Sequence, residues 1–516
     1  MDSQPGSWIT VAALLLAACA SVAIGSYGVR LARTTSDFLV ASRSVGPRWN
    51  AAAVSGEYLS AASYLGVAGL IAKYGADALW YPVGFTAGYL GLLLFVAAPL
   101  RRSGAYTMPD FVEFRLGSRG VRKLTALVVV VICGVYMIPQ FQGAGLTLRI
   151  LLGVPDWVGA VAVGLIVIGT VAGGGMRSIT FVQAFQYWLK LTAIAIPGLV
   201  LLAYFLRHEG DSGAPRLTAA TDADWLLPGG GLGGPHPMYQ VYSLIIATFL
   251  GTLGLPHVLV RFYTNPDGRK ARSTALSVIA MVGFFYLFPV LIGVLARLYA
   301  ARLPDEGASD AAVLLLPGAV LSGLPGQLLA ALVAAGAVAA FLSTSSGLLV
   351  SIAGVVGTDL LRGRIRDFRL AAIVAGAVPL LLALTVVSLD LSRAVGLAFA
   401  VAASTMCPLL VLGIWWRGLT AAGAAVGLIV GGLLSGAATA VSVSGGVSQA
   451  LAAGWLSALL SYPAAVSVPI AFAAMILVSR LTRRQSAAEI ANIFVRMHAP
   501  EPLGMGADRE RGLRSG

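Results

Sequence analysis

The sequence predicts an all-α polytopic membrane protein with 13 transmembrane helices. Of its 516 residues, 58% are hydrophobic and 11% are charged, whereas soluble domains have about 45–50% and 25%. The mean hydropathy of +0.86 leaves too little polar surface to cover a water-facing shell. Apolar stretches long enough to cross a bilayer also recur along almost the whole chain.

A membrane-spanning helix needs about 20 mostly apolar residues, and thirteen stretches reach that length. We predict residues 1–480 to form the transmembrane domain and residues 481–516 to form a short, basic, partly disordered tail. The predicted spans, numbered 1 to 13, are 8–29, 49–72, 79–99, 121–149, 155–174, 180–206, 238–262, 273–299, 326–357, 369–388, 394–416, 420–442 and 459–480.

The basic residues predict the orientation of these spans. The odd-numbered loops and the C-terminal tail contain 27 of the 35 Lys and Arg residues, whereas the N-terminus and the even-numbered loops contain 7. The positive-inside rule then places the N-terminus outside and the C-terminus in the cytoplasm of a multi-pass cell-membrane protein. The loops 207–237 and 300–325, predicted to lie outside, carry the acidic residues Glu209, Asp211, Asp222, Asp224, Asp305, Glu306 and Asp310.

The distribution of charged residues, glycines and histidines argues against several classes of protein. The net charge of +13 is divided among many loops, so no single basic patch predicts nucleic-acid binding. No lysine follows a glycine, so a P-loop that would drive an ATP-dependent pump is absent. The four histidines are scattered and no catalytic constellation or obligatory protein partner is evident, so we expect a transporter and no enzyme.

Span 2 contains a carboxylate and several hydroxyls within an apolar segment. Glu57 follows Gly56, and Ser60 and Ser63 lie further along the same span. Since a carboxylate is costly in lipid, this pattern predicts a broken helix whose free carbonyls bind a cation. The alternative is that Glu57 forms a structural pair with another helix.

Span 7 contains a second interruption. Pro256 removes a backbone donor, and Leu255 and His257 flank it within G-T-L-G-L-P-H-V-L-V-R-F (251–262). Two broken helices in corresponding halves predict a midplane binding site between inverted repeats. With five helices per unit, the repeats are about 49–206 and 238–416, as in a leucine-transporter-like core. Arg261 is interpreted as a cytoplasmic anchor.

Two further spans carry polar groups. Span 9 contains four consecutive hydroxyls at 343–346, which suit a weakly held monovalent cation better than Ca²⁺ or Mg²⁺. Span 6 places Gln183, Gln186 and Lys190 on one helical face. Three roles are open for Lys190: attracting an anionic substrate, neutralising Glu57, or reaching the membrane interface.

Several sequence segments, taken in their order along the chain, resemble those of the sodium:solute symporters, and most closely their acetate (monocarboxylate) permease branch. The segment G-E-Y-L-S-A-A-S (56–63) is similar to the branch's G-D-Y-M-S-A-A-S. The likeness continues through Arg101–Asp110, residues 174–183, G-L-P-H-x-L-x-R-F (254–262), V-G-L-A-F-A-V-A-A-S (395–404) and L-T-x-x-G-A (419–424). The order and spacing of these segments make the resemblance specific over nearly the whole chain.

The resemblance implies a five-plus-five inverted repeat, thirteen helices, alternating access and a sodium site between spans 2 and 9. Its ligands would be the carbonyl oxygens of Gly56 and Leu59 and the hydroxyls of Ser343 and Thr344. Gln183 stands where several sodium-coupled members have an aspartate, and Tyr58 stands where proline transporters have one. Proton coupling through Glu57 therefore stays open beside sodium coupling.

We therefore expect a symporter that couples inward sodium movement to uptake of acetate, propionate, pyruvate or lactate. The substrate carboxylate is expected to face half-helix N-termini. A sodium-coupled amino-acid symporter, for example for proline, is an alternative that the Ser343 and Thr344 pair would suit. A membrane sensor would need an output domain that the tail cannot supply. The candidate cavity-lining residues are Tyr81, Tyr136, Gln140 and Gln142.

Overall fold

The protein is helical throughout the part that the structure describes. This computed structural model describes residues 8–29, 41–208, 225–229, 232, 236–300, 309–361, 365–386, 389–444, 454–482 and 486–500, and these form helices and no strands. Within those ranges, ten helical segments are long and apolar enough to cross a membrane. They are Trp8–Ser26, Ala62–Arg102, Arg119–Leu152, Asp156–His208, Pro237–Tyr263, Gly268–Tyr299, Gly323–Asp359, Leu391–Trp415, Ala421–Val443 and Ala464–Leu481.

The described residues of the first half form eight α-helices, three of which adjoin π-helical turns at Ala62–Gly66 and Leu92–Val96. A 3-10 turn, Gly75–Leu79, connects the third helix to the fourth. The helices are α1 (Trp8–Val29), α2 (Pro47–Tyr58), α3 (Val67–Tyr74), α4 (Trp80–Gly91), α5 (Ala97–Arg102), α6 (Met108–Leu116), α7 (Arg119–Leu152) and α8 (Asp156–His208).

The described residues of the second half form eleven α-helices, and a π-helical turn at Val356–Leu360 follows the longest of them. The helices are α9 (Pro237–Gly254), α10 (Pro256–Tyr263), α11 (Gly268–Tyr299), α12 (Ala312–Val320), α13 (Gly323–Val355), α14 (Ile365–Ala383), α15 (Leu391–Trp415), α16 (Ala421–Val443), α17 (Trp455–Ser461), α18 (Ala464–Leu481) and α19 (Ala487–His498).

Helix α8 covers residues that the sequence predicts as two spans, 155–174 and 180–206. The backbone at Gly175 is not helical, with φ 59° and ψ −164°, so the two parts of α8 meet at a kink. A positive φ is accessible to glycine because it has no Cβ. The kink therefore lies where the sequence predicts a connection between spans 5 and 6.

Helix α13 forms the centre of the bundle. Its side chains are buried without interruption from Val333 to Val355, and it packs against α8, α7 and α1. Small residues allow these backbones to approach closely: a Cβ at Gly336 would lie 2.6 Å from the Cβ of Ala193 in α8. Because α13 touches both α8 and the end of α2, it brings the span 9 hydroxyls to the break in span 2.

The loops predicted to share a side meet one another in the structure. At one end, Arg122 at the start of α7 contacts Asp110 and Glu113 of α6 and Asp359 after α13. At the other end, Asp310 accepts a hydrogen bond from the backbone N–H of Leu391 at 2.9 Å. Of the acidic residues named above for the two outer loops, Asp310 is the one inside the described ranges.

Part of the predicted tail, residues 487–498, forms a helix. Helix α19 begins at a capping box formed by Ser486 and Glu489. It buries Ile490, Phe494 and Met497, whose i, i+4, i+7 spacing forms one apolar face. This face packs against α5 and under the guanidinium of Arg115, which explains why the segment folds despite its charge. Residues 501–516 lie outside the described ranges.

Candidate functional site

The chain leaves helical geometry in the middle of the segment predicted as span 2. Helix α2 ends at Tyr58, and Leu59 has φ −72° and ψ 84°, so the helical hydrogen-bond ladder stops there. The π-helical turn at Ala62 restarts the helix. The carbonyl oxygens at the end of α2 are therefore available to partners on other helices.

A second interruption lies at Leu255, between α9 and α10. Leu255 is buried with an extended backbone, φ −71° and ψ 113°, and Pro256 begins the eight-residue helix α10. The N–H groups in the first turn of α10 lack acceptors within that helix. This places a half-helix N-terminus, which favours negative charge, inside the protein.

Lys190 of α8 contacts three of the four predicted sodium ligands. Its ammonium donates hydrogen bonds to the carbonyl oxygen of Gly56, to the carbonyl oxygen of Leu59 at 2.6 Å and to the hydroxyl of Ser343 at 2.9 Å. The fourth predicted ligand, Thr344, donates its hydroxyl to the carbonyl oxygen of Glu57 at 2.6 Å. The structure therefore brings the four predicted ligands together, and it places a lysine ammonium among them.

Glu57 forms a buried ion pair with Arg261 of α10. The Nε of Arg261 donates to the carboxylate at 2.5 Å, and the side chains of both residues are at most 1% exposed. Arg261 also donates to the hydroxyl of Thr180 at 2.8 Å and to the side-chain oxygen of Gln183. The amide of Gln183 in turn donates to the carbonyl oxygen of Ser343 at 2.8 Å. This arrangement favours the structural alternative for Glu57.

Sequence reasoning missed the role of Arg261, which was interpreted as a cytoplasmic anchor. The structure buries it completely, so that interpretation is wrong. The available signal was charge: a carboxylate inside one broken helix needs a cation, and Arg261 lies inside the other broken segment. Position along the chain could not reveal the pair because 204 residues separate the two partners.

The same two half-helices are joined by a second contact. The side-chain amide of Asn50 in α2 donates to the carbonyl oxygen of Arg261 at 3.0 Å and to the side-chain oxygen of Asn265 at 2.6 Å. Asn265 also donates to the hydroxyl of Thr274 in α11 at 2.8 Å. Both Asn50 near the start of α2 and Glu57 near its end are thus bonded to Arg261 of α10.

Several polar side chains near the breaks have buried atoms without hydrogen-bond partners. They include the hydroxyl of Ser60, the amide nitrogen of Gln140 and both ring nitrogens of His257, together with the hydroxyl of Ser55 and one carboxylate oxygen of Glu57. The side chain of Tyr136 lies beside Ser60, and its ring centroid is 5.3 Å from that of His257. Gln140 also accepts a hydrogen bond from the N–H of Ala61 at 3.0 Å. Four of the candidate residues therefore form one polar cluster.

Aromatic rings pack beside this polar cluster. Phe399 of α15 lies 5.8 Å from Tyr136, 4.8 Å from Phe85 and 6.2 Å from Tyr58, measured between ring centroids. Tyr58 donates its hydroxyl to the carbonyl oxygen of Phe85 at 2.9 Å. These buried rings form a rigid apolar wall next to the unpartnered polar atoms.

Three candidates lie apart from the cluster. Tyr81 lines a separate small pocket together with Arg393 and Tyr462. Gln142 donates to the carbonyl oxygen of Val386 at 3.1 Å, after the end of α14. The hydroxyl of Ser63 pairs with that of Tyr286 at 2.8 Å, in a contact between the second half of span 2 and α11.

Comparison with known proteins identifies relatives over most of the chain. The family model of the sodium:solute symporter family matches residues 38–431. An uncharacterized symporter of Bacillus subtilis, YwcA, is 34% identical over 467 residues, which cover 86% of this chain and 89% of the relative. A monocarboxylic acid transporter of Corynebacterium glutamicum is 33% identical over 485 residues, with 86% and 87% covered.

Solved structures show that the fold is shared. A Na⁺-coupled sialic acid symporter superposes with a TM-score of 0.71 at 17% identity, covering 93% of this chain and 99% of the other. The nucleobase-cation-symport-1 transporter Mhp1 superposes with a TM-score of 0.55 at 14% identity, covering 89% and 98%. At these identities the similarity concerns the fold alone.

Proposed function

Because the chain belongs to the sodium:solute symporter family, we propose that it couples inward sodium movement to uptake of a short monocarboxylate such as acetate, propionate, pyruvate or lactate. It is a membrane transporter of solutes and not an enzyme. One relative is a monocarboxylic acid transporter, which supports this substrate class.

The unpartnered atoms of Ser60, Gln140 and His257 carry the proposal. A buried polar group without a partner costs about 1–3 kcal/mol, so a cluster of three is expected where a polar ligand binds. The amide nitrogen of Gln140 and a protonated ring nitrogen of His257 are donors, and the nearby N-terminus of α10 presents backbone N–H groups. A carboxylate, which only accepts hydrogen bonds, matches this set.

The charges at the breaks support an anionic substrate. Two basic side chains, Lys190 and Arg261, are buried here, whereas Glu57 is the one carboxylate that contacts either of them among the described residues. A carboxylate substrate would balance the excess positive charge, which is costly to bury alone. This also favours a monocarboxylate over proline, because the ammonium of an amino acid would need an anion and Glu57 is already paired with Arg261.

The aromatic wall supports a short acid. Phe399, Phe85 and Tyr58 are each at most 2% exposed and pack against one another. Closely packed interiors accommodate added methylene groups poorly. We therefore propose that the two- and three-carbon acids fit against this wall and that longer chains fit less well.

The proposed architecture has thirteen spans arranged as five-plus-five inverted repeats with broken spans 2 and 7. The N-terminus lies outside and the C-terminus in the cytoplasm. Alternating access would expose the cluster first at the end that contains Asp310 and then at the end that contains Arg122. A small pocket lined by Tyr106, Pro256 and Ser351 lies on the Arg122 side and supports a route there.

The experiment is uptake of labelled acetate into proteoliposomes that contain the purified protein. An imposed sodium gradient is compared with an imposed proton gradient. Accumulation driven by sodium supports the proposal, and accumulation driven by protons favours the alternative in which Glu57 couples to protons. No accumulation under either gradient contradicts acetate as a substrate, and competition by unlabelled proline then tests the amino-acid alternative.

A further inference from the structure

Three oxygen atoms around the break in span 2 face a single point. They are the carbonyl oxygens of Gly56 and Leu59 and the hydroxyl of Ser343, which comes from α13 on the opposite side. The nitrogen of Lys190 occupies that point, within hydrogen-bond distance of all three oxygens. The resemblance to sodium symporters implies a sodium ion in the same place.

The ammonium matches the donor and acceptor count of this site. A lysine ammonium has three N–H donors and no acceptor, and each donor has one oxygen to bond. The side chain of Lys190 is completely buried, so bulk water supplies no partner. Burying a lysine ammonium costs much less free energy when all three of its donors are hydrogen-bonded in this way.

The backbone of α8 is close enough to keep the lysine in this site. An added Cβ at Gly56 would overlap the carbonyl group of Gln183, so α2 lies directly on α8. Gln183 precedes Lys190 by two helical turns on the same face. The lysine stem therefore runs along α2 and ends at the break, where the carbonyls of Gly56 and Leu59 are exposed by the end of the helix.

A sodium ion and the ammonium cannot both bind these three oxygens. Each would have to lie within about 3 Å of the same atoms, which would bring two positive charges together in a medium of low dielectric constant. Thr344 is not needed to hold the ammonium, because its hydroxyl donates to the carbonyl oxygen of Glu57 and the three N–H donors of Lys190 already have the other three oxygens as acceptors. The donor set present here therefore fits a tethered ammonium and does not fit an additional sodium ion.

We propose that the Lys190 ammonium is the resident cation of this site, where it holds the break in span 2 and keeps sodium out. The inference rests on the proposed function as a symporter of this fold, and it changes the role of one site within it. A sodium ion that drives uptake would then bind elsewhere in the protein.

The test measures sodium binding without using transport. The midpoint of thermal unfolding of the full-length protein in detergent is measured in sodium chloride and in choline chloride at equal ionic strength. We expect the wild type and Ser343→Ala to respond equally to sodium. Lys190→Ala, which empties the site, is expected to gain a sodium-dependent rise of a few degrees, as for any ligand that binds only the folded state. Lys190→Ala combined with Ser343→Ala and Thr344→Ala should lose this gain.

A sodium response in the wild type that Ser343→Ala abolishes would overturn the proposal, because the ion would then displace the lysine. This comparison of the wild type with Ser343→Ala does not depend on whether Lys190→Ala folds. Lys190→Met, which retains the approximate volume of the side chain, provides a second variant without the charge. Lys73→Ala, a partly exposed lysine at another site, is the matched control. The unfolding measurement contains no substrate, so its result can be interpreted even if the protein does not take up acetate.

Discussion

Glu57 and Arg261 show how two residues far apart in the chain depend on each other. Both are buried, and they lie on α2 and α10, the two helices next to the breaks. A buried ion pair contributes little net stability compared with apolar residues, but losing one partner leaves a buried charge uncompensated. The pair therefore makes the contact between α2 and α10 specific.

We expect Glu57→Gln to lower the free energy of unfolding by about 3–5 kcal/mol, because it leaves Arg261 buried without its carboxylate. Unfolding in detergent, followed by tryptophan fluorescence, measures the change. The control is Asp156→Asn in the pair of Arg149 and Asp156, whose side chains are 55% and 54% exposed. That change should cost less than about 1 kcal/mol.

Equal effects of Glu57→Gln and Asp156→Asn would show that the buried pair has no special role. The double variant Glu57→Gln with Arg261→Met offers a second check. It removes the carboxylate and the cation together, so it should recover part of the stability lost in Glu57→Gln.

The end of α2 depends on a close approach between two elements. Gly56 lies where α2 crosses α8, and an added Cβ there would lie 2.9 Å from the backbone carbonyl carbon of Gln183. Backbone atoms cannot rotate away as the end of a flexible side chain can. The glycine is therefore required by the packing of two helices, in addition to its position next to the break.

We expect Gly56→Ala to destabilise the protein by about 1–3 kcal/mol, the usual effect of overpacking. Gly169 is the matched control, because it is also a helical glycine and has no atom within 4 Å of an added Cβ. Gly169→Ala should be neutral or stabilising by up to about 1 kcal/mol. Thermal unfolding of both variants measures the difference, and equal midpoints would contradict the packing argument.

The 3-10 turn Ser309–Ala311 directly precedes α12 and contacts the start of α15, at the end of the bundle opposite Arg122. Asp310 of this turn is buried and accepts the N–H of Leu391 at the start of α15. Burial, followed by the charge of Asp390, raises the pKa of Asp310 to about 7. The folded protein therefore holds a proton on Asp310 that the unfolded chain releases at a lower pH.

Because the pKa of Asp310 is higher in the folded protein, its contribution to stability is largest below about pH 4 and is lost as the pH rises to about 7. Hydrogen exchange of the N-terminal amides of α15, corrected for intrinsic rates, should show weakening protection over that range and no further change above it. Asp310→Asn should remove this dependence, whereas Asp156→Asn should retain it. A wild-type profile that is flat with pH would contradict the assignment.

At the scale of the whole molecule, polar contacts lie at both ends of the bundle and the candidate site lies between them. Arg122 joins α6, α7 and the turn after α13 through Asp110, Glu113 and Asp359. A transporter that works by alternating access must separate such contacts at one end at a time. The Arg122 contacts are therefore expected to restrict the path from the site to that end.

We expect Arg122→Ala to increase the access of water-soluble reagents at that end by several fold. Ser351 lines the pocket there, so Ser351→Cys in a background without other cysteines reports access through its rate of maleimide labelling. Lys270→Ala is the control, since its contact with Asp267 is at the same end but half exposed. Equal labelling rates with and without Arg122 would contradict a gating role.

Much of this architecture follows from the sequence by itself. Apolar stretches of membrane-spanning length determine the helices, because unpaired backbone groups are too costly in lipid. Gly56 beside Glu57, and Pro256 after Gly254, mark the two interruptions, because each weakens the helix locally. The sequence motifs and their order along the chain identify the family, which the relatives confirm.

Only the tertiary structure decided which polar residues meet. Lys190 lies 134 positions after Gly56, and Arg261 lies 204 positions after Glu57, so no local pattern specifies these contacts. The sequence allowed Lys190 three roles, and the crossing of α8 over α2 put its ammonium among the predicted sodium ligands. The hydrophobic period of a helix indicates which face is buried, whereas helix packing determines which buried charge has which partner.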